Sequence, residues 1–153
     1  MRLLSFNDLQ IGEHVKVSGK FREREGFLAV EISPEAPGAE AEFSCGVQSV
    51  AGGCLRVLGF QITAPHDLEI KDLDGNRLAL SDLKPGTMLK LKGVYDEARG
   101  FTLQKLKLRE TLEFNIDELQ GVIAKIDHEK ETLLINGVLV WTNAKTVIDG
   151  GES

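Results

Sequence analysis

The chain has 153 residues, 42% of them hydrophobic and 27% charged. That is enough for one ordinary domain or two very small ones, and it excludes a disordered chain. Its apolar runs are too short for a transmembrane helix. The net charge of −6 argues against non-specific nucleic-acid binding, which needs a basic surface.

In chain order, the N-terminal MRLLSFNDL carries one Arg and no apolar stretch of signal-peptide length. Residues 8–11 can form a helical turn. Val15, Val17 and Phe21 then keep the two-residue period of a half-buried strand. The next strand changes phase, from Phe27 and Ala29 to Val30 and Ile32, which predicts a β-bulge. A turn at Ala51-Gly52-Gly53 precedes strands at residues 54–58 and 60–63, joined by Leu58-Gly59. Asp74-Gly75-Asn76 and Pro85-Gly86 mark further turns. Leu89, Leu91 and Tyr95 alternate with Lys90, Lys92 and Val94 on another strand. Its partner switches phase from Phe101 and Leu103 to Leu106 and Leu108, a second predicted bulge. Residues 115–120 (NIDELQ) read as another short helical turn. Asn136-Gly137, between LLI and VLVW, is the strongest two-residue hairpin signal.

The sequence repeats itself. DLQIGEHVKVSGKF at residues 8–21 returns as DLKPGTMLKLKGVY at residues 82–95, an offset of 74. CLRVLGFQIT at residues 54–63 returns as TLLINGVLVWT at residues 132–142, an offset of 78 counted from Cys54 to Thr132. An internal repeat defines the unit that must fold. One unit, residues 43–110, is complete. The other, residues 1–35 plus 114–153, takes its first strands from the C-terminal part of the chain and its last strands from the N-terminal part. Met1 and Ser153 both correspond to Gly75, so the second unit is opened at a turn that the first retains. Neither terminal half can bury its apolar face alone. The predicted fold is all-β: two small barrels from an internal repeat, the second circularly permuted and built from both chain termini. Closure within one chain gives a monomer, the favoured form; exchange between chains gives a swapped dimer.

Gly46-Val47, Leu55-Arg56-Val57-Leu58-Gly59, Asp82-Leu83, Gly86 and Gly93 recur as Gly121-Val122, Leu133, Ile135, Gly137, Asp8-Leu9, Gly12 and Gly19. This pattern resembles a bacterial family of tandem β-repeat domains of unknown function. The resemblance covers nearly the whole chain, through glycine and apolar positions that report fold rather than chemistry. It implies small barrels of the oligonucleotide/oligosaccharide-binding (OB) type. For localisation it implies the cell envelope or periplasm if Met1 begins a segment of a longer exported chain; otherwise the missing export signal implies the cytoplasm.

The one basic constellation is Lys90, Lys92, Lys105, Lys107 and Arg109. If their strands pair, these side chains form a candidate face for an anionic ligand or partner. The competing reading is a solvated face whose lysines discourage edge pairing. The second unit offers only Lys16 and Lys20, with Glu23, Glu25 and Glu31. Trp141 follows Val140 on a strand and should face outward, either to stack a base or sugar or, the favoured role, to pack on a neighbouring barrel. Cys45 and Cys54 can bridge a strand and turn in an oxidising compartment, although two small buried side chains is the plainer reading. His14, His66 and His128 stand singly, and no zinc spacing occurs. Asp72-Leu73-Asp74-Gly75-Asn76 suggests a calcium loop, but its twelfth position is Leu83, where Glu is required.

No nucleophile motif or cofactor-binding spacing is present, so the chain reads as a non-enzyme with no cofactor and no metal. The expected function is a binding or assembly module directed at a protein or a polysaccharide. The alternative is a single-stranded nucleic-acid binder using the lysine face and Trp141; overall acidity makes nucleic acid the weaker partner. Residues 43–110 hold ten Lys and Arg against eight Asp and Glu, net +2, and the remainder is net −8. The basic unit of one molecule can therefore approach the acidic unit of another, which predicts salt-sensitive self-association.

Overall fold

The computed structural model describes residues 3–22, 25–35, 41–109 and 116–150. Glu23 and residues 36–40 and 110–115 lie outside them. The regular structure of the described residues is β-strand, apart from two single-turn 3-10 helices at Phe6–Asp8 and Leu80–Asp82.

The N-terminal strands β1 (His14–Arg22) and β2 (Gly26–Pro34) form an antiparallel pair. They are followed by β3 (Ala41–Gly46), β4 (Ser49–Ala51), β5 (Cys54–Val57), β6 (Phe60–Thr63), β7 (Ile70–Lys71) and β8 (Arg77–Leu78). Next come β9 (Met88–Asp96) and β10 (Gly100–Leu108), then β11 (Asp117–Asp127), β12 (Thr132–Ile135), β13 (Val138–Trp141) and β14 (Val147–Ile148). The hydrogen-bonded path β1-β2-β13-β12-β11 returns to β1, giving a closed five-stranded barrel. Four of its seams are antiparallel. The fifth, β13 with β2, is parallel and pairs Val140 with Phe27 and Trp141 with Leu28. Both ends of the chain thus contribute to one barrel. They also meet: Leu4 N–H donates to Ile148 O at 2.8 Å, and Leu3 bridges Asp149.

The strands of residues 43–110 are arranged similarly but do not close. β3, β9, β10, β7 and β8 continue the main sheet, while β4, β5 and β6 form a separate three-stranded sheet. The cause is local. The strand that would run through β3 and β4 breaks at Val47 and Gln48. Gln48 then bonds within the small sheet, its N–H donating to Arg56 O and its Oε1 accepting from Gly59 N–H. β6 lies against β10 without a ladder.

The bulges fall in equivalent places. β2 bulges at Val30 and β10 at Gln104, 74 residues apart. Val30 points outward, 54% exposed, so Phe27, Ala29 and Ile32 carry the inward phase. At each bulge a glycine faces the neighbouring backbone with no room for a side chain: a Cβ on Gly19 would collide with Leu28 O, and one on Gly93 with Thr102 O.

Residues 117–120 are strand, not helical turn, and Asn115 lies outside the described residues. Leu119, Gly121 and Ile123 keep a two-residue inward period. β11 also has partners on both edges, β1 and β3, so its acidic start is held in a ladder. Asn136 and Gly137 both have positive φ, 53° and 83°, as a type I′ turn requires. The Asn136 side chain folds back, Nδ2 donating to Gln120 O at 2.7 Å, into space that exists because residue 121 is glycine.

One apolar cluster runs through the molecule. In the closed barrel Val15, Val17, Phe27, Ile32, Leu119, Ile123, Leu133, Ile135 and Val140 are all buried. Each such side chain contributes about 1.5–3 kcal/mol on leaving water. Among the strands of residues 43–110 the centre is aromatic. Phe43 packs edge-on to Phe101 with centroids 4.8 Å apart and lies 5.4 Å from Phe60. The β3–β11 ladder joins the two regions by pairing Leu119 with Phe43. Aromatic rings cross the junction in both directions, Phe21 against Gly59 and Tyr95 against Gly137.

Candidate functional site: a lysine groove

β9 and β10 place their lysines opposite one another. Lys90 pairs with Lys107 and Lys92 with Lys105 across the ladder. Strand geometry sets such charges ~7 Å apart along a strand and ~5 Å across it. Like charges directly opposed on a sheet are destabilising. These four side chains, with Lys71 of β7, line a surface groove of about 690 Å³. Asp67, Glu69, Asp72 and Gln104 also line it, and its apolar lining is Leu73 and Leu106. Lys92 Nζ is 3.2 Å from Glu42 Oε1, and Lys71 Nζ is 3.4 Å from Glu69 Oε1. Among the described residues Lys90, Lys105 and Lys107 have no ion-pair partner.

Protection of a sheet edge accounts for only part of this lysine cluster. β9 is paired on both sides, by β3 and β10, and β10 is paired with β9 and, at Leu106 and Lys107, with β7. Lys90 and Lys92 therefore sit on the outer face of an interior strand, whereas Lys105 lies where β10 has no ladder partner on its second side.

Of the five basic residues predicted to share a face, four line the groove. Arg109 extends the β9–β10 ladder by one bond, its N–H donating to Met88 O at 3.0 Å, and lies outside the groove lining. Lys71 was not anticipated. It reaches the groove through a two-residue parallel contact, Lys71 with Lys107, and parallel contacts leave no hairpin signal in a sequence.

Trp141 does not join the lysines. It lies on β13, 37% exposed, with its ring over Gly26, where a Cβ would come 3.2 Å from Nε1. It lines a different groove, of about 500 Å³, with Lys125, His128, Lys130, Leu134 and Leu139. It thus packs on its own barrel while keeping an outward edge.

Cys45 and Cys54 are both free thiols, so no bridge links them. β3 carries Cys45 opposite Leu89 of β9, whereas Cys54 pairs with Ala51 and Thr63 in the small sheet. The break at Val47 and Gln48 sends the two thiols into different sheets. Burial, with a smaller effect from Asp117, pushes the Cys45 thiol far above its usual range, so it stays protonated and unreactive. Asp117 itself is raised by burial, partly offset by the hydrogen bond from Phe21 N–H at 3.0 Å and by Lys20.

Asp72 shapes a turn: its Oδ1 accepts the N–H groups of Asp74 and Asn76 at 2.9 and 2.8 Å. Among the described residues no group of three or more His, Cys, Asp or Glu could hold a metal ion, and no helix is long and apolar enough to cross a membrane. Neither a family model, nor a curated protein, nor a solved structure matches the chain.

Proposed function

We propose that this chain is a non-enzymatic binding module whose lysine groove holds an acidic polysaccharide. The carrying observation is the pair of like-charge contacts, Lys90 with Lys107 and Lys92 with Lys105, across the β9–β10 ladder. Such an arrangement costs stability locally and gains it back when an anion lies across it. The rest of the lining suits a hydroxylated polymer. Lysines meet carboxylates, while Asp67 and Gln104 can accept hydroxyl donors. A nucleic acid fits less well. No aromatic ring lines the groove, so the ~1–3 kcal/mol per base that stacking supplies is missing.

The scaffold reading is a tandem repeat of one OB-like unit, the second copy permuted, in the manner of the bacterial β-repeat family. Equivalent contacts support it. Ser5 N–H donates to Asp8 Oδ2 and, 74 residues on, Ala79 N–H to Asp82 Oδ2, both at 2.9 Å. β14 pairs in parallel with β2 through Ile148 and Ile32, as β7 does with β10 through Ile70 and Leu106. The Leu4–Ile148 bond occupies the place of the Leu78–Ile70 pairing. Read in unpermuted order, the closed barrel has the 1-2-3-5-4-1 strand order of an OB barrel.

The test is calorimetric titration at low salt with polygalacturonate, a neutral glucan and single-stranded DNA. Binding of polygalacturonate alone is expected. Tighter binding of DNA would turn the assignment to nucleic acid, and silence with all three would remove the groove as a polyanion site.

A further inference from the structure

The closed barrel carries an apolar outer face with no counterpart elsewhere among the described residues. Leu28 and Val30 on β2, Leu139 and Trp141 on β13, and Val147 on β14 are 37–54% exposed. Leu134 of β12 joins them as the cross-strand partner of Leu139, and Trp141 lies beside Leu28. At the 74- and 78-residue offsets, residues 43–110 carry Thr102, Gln104, Gln61, Thr63, Glu69 and Arg56, all exposed. Strands of this kind therefore form with a wholly polar outer face. The six apolar side chains are not required by the fold, and a contiguous exposed patch of this sort marks a contact surface.

Its fringe indicates the occupant. Lys125 adjoins Leu134 on the β11 side, and Glu31 adjoins Val30 on the β2 side. Neither has an ion-pair partner among the described residues. A fringe of both signs suits neither an anionic lipid surface nor a nucleic acid. It is self-complementary: a twofold axis through the face sets Lys125 of each copy against Glu31 of the other. We propose that this face is the contact between two copies of the chain, packed sheet to sheet about Trp141. Strands ~4.8 Å apart make the patch only about 20 Å wide. That is small beside the ~800 Å² per partner of a standard interface, so the dimer is weak and appears with rising concentration. This interface is independent of the lysine groove.

Trp141 is the only tryptophan, so its emission reports the face directly. Sedimentation equilibrium and Trp fluorescence across a concentration series should show a monomer–dimer equilibrium, with a blue shift as the dimer forms. The double variant Trp141→Thr/Leu139→Gln, which installs the residues found at the equivalent positions, should stay folded and monomeric, its melting lowered only by the lost packing of Trp141 on Gly26. Lys125→Glu and Glu31→Lys should each weaken the dimer by about tenfold, on the scale of 1.4 kcal/mol, and their combination should restore it. A wild-type monomer at every concentration, a dimer that survives Trp141→Thr/Leu139→Gln, or failure of the paired reversal to restore association would overturn the proposal.

Discussion

On the proposed repeat, the lysine groove corresponds to a face of the closed barrel that differs from it in charge. Lys90, Lys92, Lys105, Lys107 and Lys71 on one side stand where the other has Lys16, Ser18, Glu31, Ser33 and Asp149. Lys16 is itself paired, 3.7 Å from Glu118. Ladders, bulges and capped 3-10 turns recur in both places, so the fold does not require five lysines. The apolar outer face shows the same logic in reverse, present on the closed barrel and polar elsewhere. Shared features are where stability should be tested, and differing features are where function should be sought.

The largest expected effects belong to the shared features. Gly93→Ala and Gly19→Ala each force a Cβ into a neighbouring backbone carbonyl. Each should cost about 3 kcal/mol, the upper range for overpacking a rigid site. Gly52→Ala, at φ 58° with nothing within 4 Å, should cost only the ~1 kcal/mol of a left-handed conformation. Urea denaturation of the three variants breaks the comparison if Gly19 tolerates Ala and Gly93 does not.

Next come the differing features. Lys90→Glu with Lys105→Glu should weaken polygalacturonate binding on the order of tenfold or more, at ~1 kcal/mol per exposed charge contact. The converse graft of Ser18→Lys, Glu31→Lys and Ser33→Lys should create a measurable second site on the closed barrel. Calorimetric stoichiometry separates the two results.

Smaller effects sharpen the comparison at single residues. His14 occupies the position of Met88, and both its ring nitrogens are buried without a hydrogen-bond partner among the described residues. His14→Met should stabilise the fold by about 1 kcal/mol, the scale of an unsatisfied polar group removed. Asp117, opposite in register to Gly19, gives the smallest effect. Because burial raises its pKa, the folded state binds a proton more readily than the unfolded chain. Its contribution therefore favours folding at acid pH and is lost as pH rises from the ordinary carboxylate range through the raised value. Asp117→Asn keeps an acceptor for Phe21 N–H, so it should flatten that pH dependence and raise stability at neutral pH in chemical denaturation.

Much of the fold was legible because its signals are local. The two-residue period of Leu89, Leu91 and Tyr95, the Asn136-Gly137 turn and both phase switches lie within a few residues of one another. What escaped was non-local. The break at Val47 and Gln48 opens one set of strands, and it depends on where the Gln48 amide finds partners. Residues 117–120 read as a turn because a strand held on both edges can carry Asp and Glu without obvious alternation. The groove was legible in part, since alternation on β9 and β10 aligned four lysines. Lys71 and the acidic rim arrive through β7, whose parallel contact spans 36 residues. The apolar face was missed because Leu28, Val30, Leu134, Leu139 and Val147 read as ordinary strand residues until the ladders put them side by side.

The most direct test of the contrast between the two faces is a backbone amide NMR titration of the chain with polygalacturonate. Shifts should concentrate at Lys71, Lys90, Lys92, Lys105 and Lys107 and fade with added salt, leaving Lys16, Ser18, Glu31 and Ser33 unmoved. Shifts centred on the closed barrel, or spread equally over both faces, would contradict the groove as the seat of function.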